Sequence, residues 1–134
     1  MAVSRIALVV AAAVVLVWTV KALAIWEAGG LGKTSLEDVF FGIGFVTYVI
    51  AWALIGIAAA SGRHIGVRVA AAVGGVVAGV ALVMVLDSLA DGLPSSAGWV
   101  KEEAGLWAAA LITLGVAWLI VRRSGSDAVA VATT

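Results

Sequence analysis

The chain has 134 residues, 64% of them hydrophobic and 12% charged, with a formal net charge of zero. Soluble domains run about 45–50% apolar and about 25% charged, and a fold this small has too little interior to hide the surplus. An ordinary water-soluble domain is therefore excluded, and zero net charge removes any global attraction to nucleic acid.

Four long apolar stretches divide the sequence, at about residues 6–26, 39–60, 67–86 and 104–121. Each approaches the roughly 20 residues a helix needs to cross a ~30 Å hydrocarbon layer. None alternates polar and apolar residues with a period of two, so a transmembrane barrel is not expected. In lipid the backbone must close its hydrogen bonds within each segment, and helices do that. The expected fold is all-α: an antiparallel, up-down-up-down four-helix transmembrane bundle over residues 1–123, with 124–134 as a short flexible cytoplasmic tail.

The first stretch follows Arg5 and contains Ala22-Leu23-Ala24, an A-x-A pattern of the kind signal peptidases cut. Cleavage there would leave three spans. The length of the apolar run and Lys21 just before the site weigh against it. Lys21 itself stands about 22 Å above Ile6 at 1.5 Å per residue, inside the hydrocarbon rather than at its edge. Its Cα–Cβ bond tilts toward the helix N-terminus, which makes an escape to the nearer surface awkward. An unpaired charge there costs at least about 2.5–3.5 kcal/mol. Asp87, near the end of the third stretch, is the candidate partner for an intramembrane ion pair Lys21–Asp87. The alternative is that Lys21 bends to water while Asp87 sits among headgroups.

The second stretch opens with Thr34 three residues before Glu37, a capping-box spacing. Tyr48 lies deep within it, so its hydroxyl needs a partner. The third carries Gly66, Ala70, Gly74 and Ala78 at intervals of four, with Gly75 and Gly79 forming a G-x-x-x-G. Small residues let helix backbones approach closely in lipid, so these six positions are expected to pack, and the third helix to be the most contacted. Pro94 and small residues break the chain before the fourth stretch, and Ser124, Gly125 and Ser126 are expected to end it.

Glu37, Asp38, Glu102 and Glu103 stand at the starts of the second and fourth helices. Carboxylates in a first helical turn are favoured by the helix dipole. The same cluster would attract cations at an extracytoplasmic mouth or ligate a hard cation such as calcium. The second and fourth stretches also echo each other at a constant offset: Glu37 with Glu103, Phe41 with Trp107, Thr47 with Thr113, Trp52 with Trp118. A duplicated helix pair would produce this, and so would the ease with which Ala-rich helices match.

Orientation follows from the basic residues of short loops. Every arginine (Arg5, Arg63, Arg68, Arg122, Arg123) falls on one side, while Lys33 and Lys101 fall on the other with most carboxylates. Both termini are then cytoplasmic, and Trp26 and Trp99 lie at the outer interface, where amphipathic rings prefer to sit. The implied location is the cell membrane, multi-pass. Cysteine is absent and His64 is the single histidine, so thiolate chemistry is excluded and no catalytic, cofactor or metal residue is expected. No Walker loop, H-E-x-x-H or G-x-S-x-G is present. The composition points to a non-catalytic accessory, assembly or interaction component. Its expected partners are the lipid bilayer and other membrane subunits or further copies of itself, with no nucleic acid. A homo-oligomeric channel or transporter with an acidic outer mouth is the alternative.

Overall fold

In the computed structural model, which describes residues 2–134, the chain is all-helical. The helices are α1 (Ala2–Ala28), α2 (Leu36–Ala59), α3 (Ile65–Ala90) and α4 (Trp99–Thr133), with a short 3₁₀ turn, Ser95–Ala97, before α4. All four are long and apolar enough to cross a membrane. They run past the apolar stretches at most ends, because a hydrogen-bonded ladder need not stop where the side chains become polar.

Heptad seams hold the helices together. The inner face of α1 is Ser4, Ala7, Ala11, Val14, Trp18, Lys21 and Ile25, a spacing of alternating threes and fours that keeps one stripe facing its neighbours. Gly44, Tyr48, Ala51, Ile55 and Ala58 do the same on α2, and Glu103, Leu106, Ala110, Thr113 and Ala117 on α4. Most seam residues are small, so the backbones come close. Around the bundle, α1 packs on α2 and α4, and α3 packs on the same two; α1 and α3 lie on the diagonal, their backbones apart among the described residues.

The least buried helix is α3, with only Gly79 and Ala90 enclosed. This overturns the expectation that it would be the most contacted. Gly75 and Gly79 do face α2, where an added Cβ at Gly75 would strike the Trp52 carbonyl and one at Gly79 the Trp52 indole. Gly56 makes the reciprocal approach, meeting the Ala71 carbonyl. By contrast Gly66, Ala70, Gly74 and Ala78 are exposed, and a Cβ at Gly74 would meet nothing within 4 Å. Two small-residue stripes share this helix, and the neighbour takes only one.

A second correction concerns the C-terminus. Rather than stopping at Ser124, α4 continues to Thr133. Ser124 Oγ donates to the Ile120 carbonyl (3.0 Å) and Ser126 Oγ to the Arg122 carbonyl (3.1 Å). These serines thus satisfy their hydroxyls on the helix they were expected to break.

Gly75→Ala should destabilise the bundle by about 1–3 kcal/mol, the usual cost of overpacking, while Gly74→Ala should be neutral or mildly stabilising. Thermal unfolding of both variants in the same detergent checks this. Equal melting points would contradict the packing described.

Candidate functional site

The two buried charges, Lys21 and Glu103, lie where the C-terminal parts of α1 and α3 meet the N-terminal parts of α2 and α4. Lys21 projects from the α1 seam into the bundle and is 4% exposed. Its Nζ donates to Oε1 of Glu103 at 2.6 Å, and Glu103 is equally buried, at 4%. The Lys21 ammonium also lies over the Phe41 ring, 5.4 Å from its centroid, within the range of cation–π attraction.

The partner is therefore Glu103 and not Asp87. The reason is the order of the helices: α1 borders α4, while α3 sits across the diagonal. Asp87 lies nearby, beside α4, where Gly105 lets the two backbones close; a Cβ there would come within 2.9 Å of the Asp87 Cα. Glu103 stands in the first turns of α4, where a carboxylate is ordinarily expected at the surface. Its heptad spacing to Leu106, Ala110 and Thr113 was the sequence signal that it faces inward.

Above the ion pair opens a cleft of about 460 Å³, lined by Lys21, Glu37, Phe41, Phe45, Asp87, Glu102 and Glu103 among others. Of the four acidic residues expected to cluster, Glu37, Glu102 and Glu103 line it; Asp38 is exposed and is not part of the lining. Glu37 is partly committed already, because its Oε2 accepts from the Gly32 backbone N–H at 2.7 Å. The capping box takes a modified form: Thr34 Oγ1 accepts weakly from Leu36 N–H (3.3 Å) while Glu37 reaches back to Gly32. Among the described residues no three carboxylate or imidazole groups converge closely enough to ligate one metal ion. Glu103 Oε2 is buried and has no hydrogen-bond partner among them.

Below the ion pair the bundle is filled. Trp18, Tyr48 and Thr113 are fully buried, with Trp18 tilted against Tyr48 (centroids 5.5 Å apart) and Tyr48 edge-on to Trp52 (6.4 Å). Gly44 makes room for the Trp18 indole, which a Cβ at that position would strike. The Tyr48 hydroxyl finds its partner across the helices, donating to the Gly79 carbonyl at 2.6 Å. Trp52 Nε1 donates to Thr113 Oγ1 (3.0 Å), which donates in turn to the Ala109 carbonyl (2.6 Å). Every donor in this relay is thus answered, as a low-dielectric interior requires. Trp18 Nε1 is the exception, buried without a partner among the described residues.

The echo between α2 and α4 carries over in part: Phe41 and Trp107 are exposed alike (42% and 43%), while two other pairs diverge. Trp52 is buried and hydrogen-bonded, whereas Trp118 is 48% exposed, its ring under the Arg122 guanidinium. Thr113 joins the core relay, whereas Thr47 only bonds back to Ile43 O at 2.7 Å. Elsewhere, Trp26, Trp99 and Trp107 line one shallow apolar depression on the bundle surface.

Glu103→Gln strands the buried Lys21 charge and should cost about 3–5 kcal/mol. Lys21→Met combined with Glu103→Leu should recover most of that loss, since an apolar pair of similar volume needs no desolvation. Unfolding free energies of the two variants in one detergent, compared with the parent, check both halves of the statement. Comparison with protein-family models, curated proteins and solved structures finds no match to this chain.

Proposed function

We propose that the protein is a non-catalytic, multi-pass component of the cell membrane that acts through interaction rather than by conducting solutes. In this reading both termini are cytoplasmic, the helices alternate up and down, and the cleft faces outward. The partition of arginines and carboxylates supports that orientation. One observation carries the functional reading. Directly under the cleft, Trp18, Tyr48 and Thr113 close the middle of the bundle with no exposed surface, and the Tyr48 and Thr113 hydroxyls are hydrogen-bonded within it. A pore needs polar groups facing a water path, and a single chain here devotes that space to packing. The exposed flank of α3 is the natural face for another membrane subunit or a second copy, because it leaves small residues where backbones could approach.

A second reading has one observation in its favour. Glu37, Asp87, Glu102 and Glu103 line a single cleft, and carboxylates at an entrance concentrate cations. A homo-oligomeric channel or transporter would use that mouth with a path between chains.

The absence of cysteine makes orientation simple to test. On intact cells a membrane-impermeant maleimide should label Ser96→Cys and leave Ser61→Cys unlabelled until the cells are lysed. The opposite pattern would invert the topology. Reconstituted alone in liposomes, the chain should pass potassium and protons no faster than empty vesicles do. Gently solubilised native membranes should yield it in a particle larger than the purified chain. Saturable ion flux from the purified protein would favour the transport reading instead.

A further inference from the structure

We propose that the cleft above the ion pair binds an organic primary ammonium, with the charged group at Glu103 and an apolar body against Phe41 and Phe45. The site already shows how it holds such a group. Lys21 presents a primary ammonium to Glu103 Oε1 at 2.6 Å and to the Phe41 ring at 5.4 Å. The carboxylate uses only half of its accepting capacity in doing so: Oε2 of Glu103 is buried and unpartnered among the described residues. A buried carboxylate oxygen left without a donor is costly, and an ammonium brings three donors. Glu103 lines the cleft and its terminal torsion is broad, so a small rotation of the carboxylate brings Oε2 within reach of a donor there.

Charge and shape narrow the ligand further. Glu37, Asp87, Glu102 and Glu103 line the cleft against Lys21 alone, so a cation is attracted and an anion repelled. A bare divalent ion is a poor occupant. Calcium takes about six to eight oxygen ligands, and no three carboxylates converge here among the described residues. The remaining wall is apolar, with Phe41, Phe45, Val83, Met84 and Leu106. A volume of about 460 Å³ falls in the range of small-molecule sites, which pair an apolar lining with a few convergent polar groups. An aryl- or alkyl-ammonium satisfies all of these features together. The inference stands apart from the orientation proposed above, because it concerns the cleft and not the side it faces.

The test uses the full chain in lipid nanodiscs, which leave both faces open to solvent, with 2-phenylethylammonium as the probe and calorimetry as the readout. Saturable one-to-one binding above that of empty nanodiscs is expected, with 2-phenylethanol, the neutral counterpart, failing to bind. Glu103→Gln should abolish binding. Because that variant also strands Lys21, the exposed pair Asp87→Asn and Glu102→Gln supplies an independent arm. It should keep the parent melting temperature and weaken the probe by at least about tenfold. Heat no greater than that of empty nanodiscs, equal binding of the alcohol, unchanged affinity in the double variant, or saturable binding of calcium in place of the amine would each overturn the proposal.

Discussion

A lysine and a glutamate hidden inside an apolar bundle constrain everything around them. Each charge alone would cost several kcal/mol in a low-dielectric interior, so α1 and α4 must meet in the one rotation and height that brings Lys21 Nζ to Glu103. That requirement reaches along both helices. Lys21 shares its stripe with Val14, Trp18 and Ile25, and Glu103 shares its own with Leu106 and Thr113. Turning either helix to expose the pair would also pull the aromatic core out of register. Against an apolar replacement such a pair adds little net stability. Its effect is to make the alternative registers expensive, as a single polar position does in a coiled coil.

Helices apolar enough to cross a membrane would gain no hydrophobic drive from one another in lipid, where close contact and hydrogen bonds supply the cohesion. Glycines provide the contact: Gly56 and Gly75 bring the α2 and α3 backbones together, Gly44 admits Trp18, and Gly105 admits the end of α3. The hydrogen bonds come from Tyr48 and Trp52, which tie α2 to α3 and α4. Both devices converge on α2, which touches each of the other three helices, as α4 also does. The uneven burial of α3 follows: it is held by one glycine stripe and the Tyr48–Gly79 hydrogen bond, and the rest of its surface belongs to the surroundings.

Much of this was legible in the sequence. Four apolar runs of bilayer length give four helices, because length and hydropathy act on each helix separately. A carboxylate partner for Lys21 was one of two readings open from its position along α1, the other being a side chain bent to water. The identity of that carboxylate was not read from the chain. It depends on which helices are neighbours, a property of the whole bundle; Glu103 was hidden by its resemblance to a first-turn acid although its heptad spacing was in plain view. The glycine faces of α3 failed for a different reason. With Gly or Ala at 66, 70, 74, 75, 78 and 79, small residues cover more than one side, and periodicity cannot choose between sides. The extent of α4 was missed because serine and glycine were read as breakers, when serine hydroxyls can return to their own helix.

The ion pair also marks a boundary. On one side of it the Trp18 and Tyr48 side chains are fully buried; on the other the helices part around a cleft bordered by carboxylates. Glu103 belongs to both regions, sealing the packed core and forming the wall of the open part. Any cation that engages this carboxylate shares it with Lys21, and Lys21 is what fixes α1 against α4. Occupancy of the cleft and the packing of those two helices are therefore linked through one side chain. Such coupling is reciprocal: whatever a bound cation does to the helix pair, a change in the helix pair must do to the affinity for the cation.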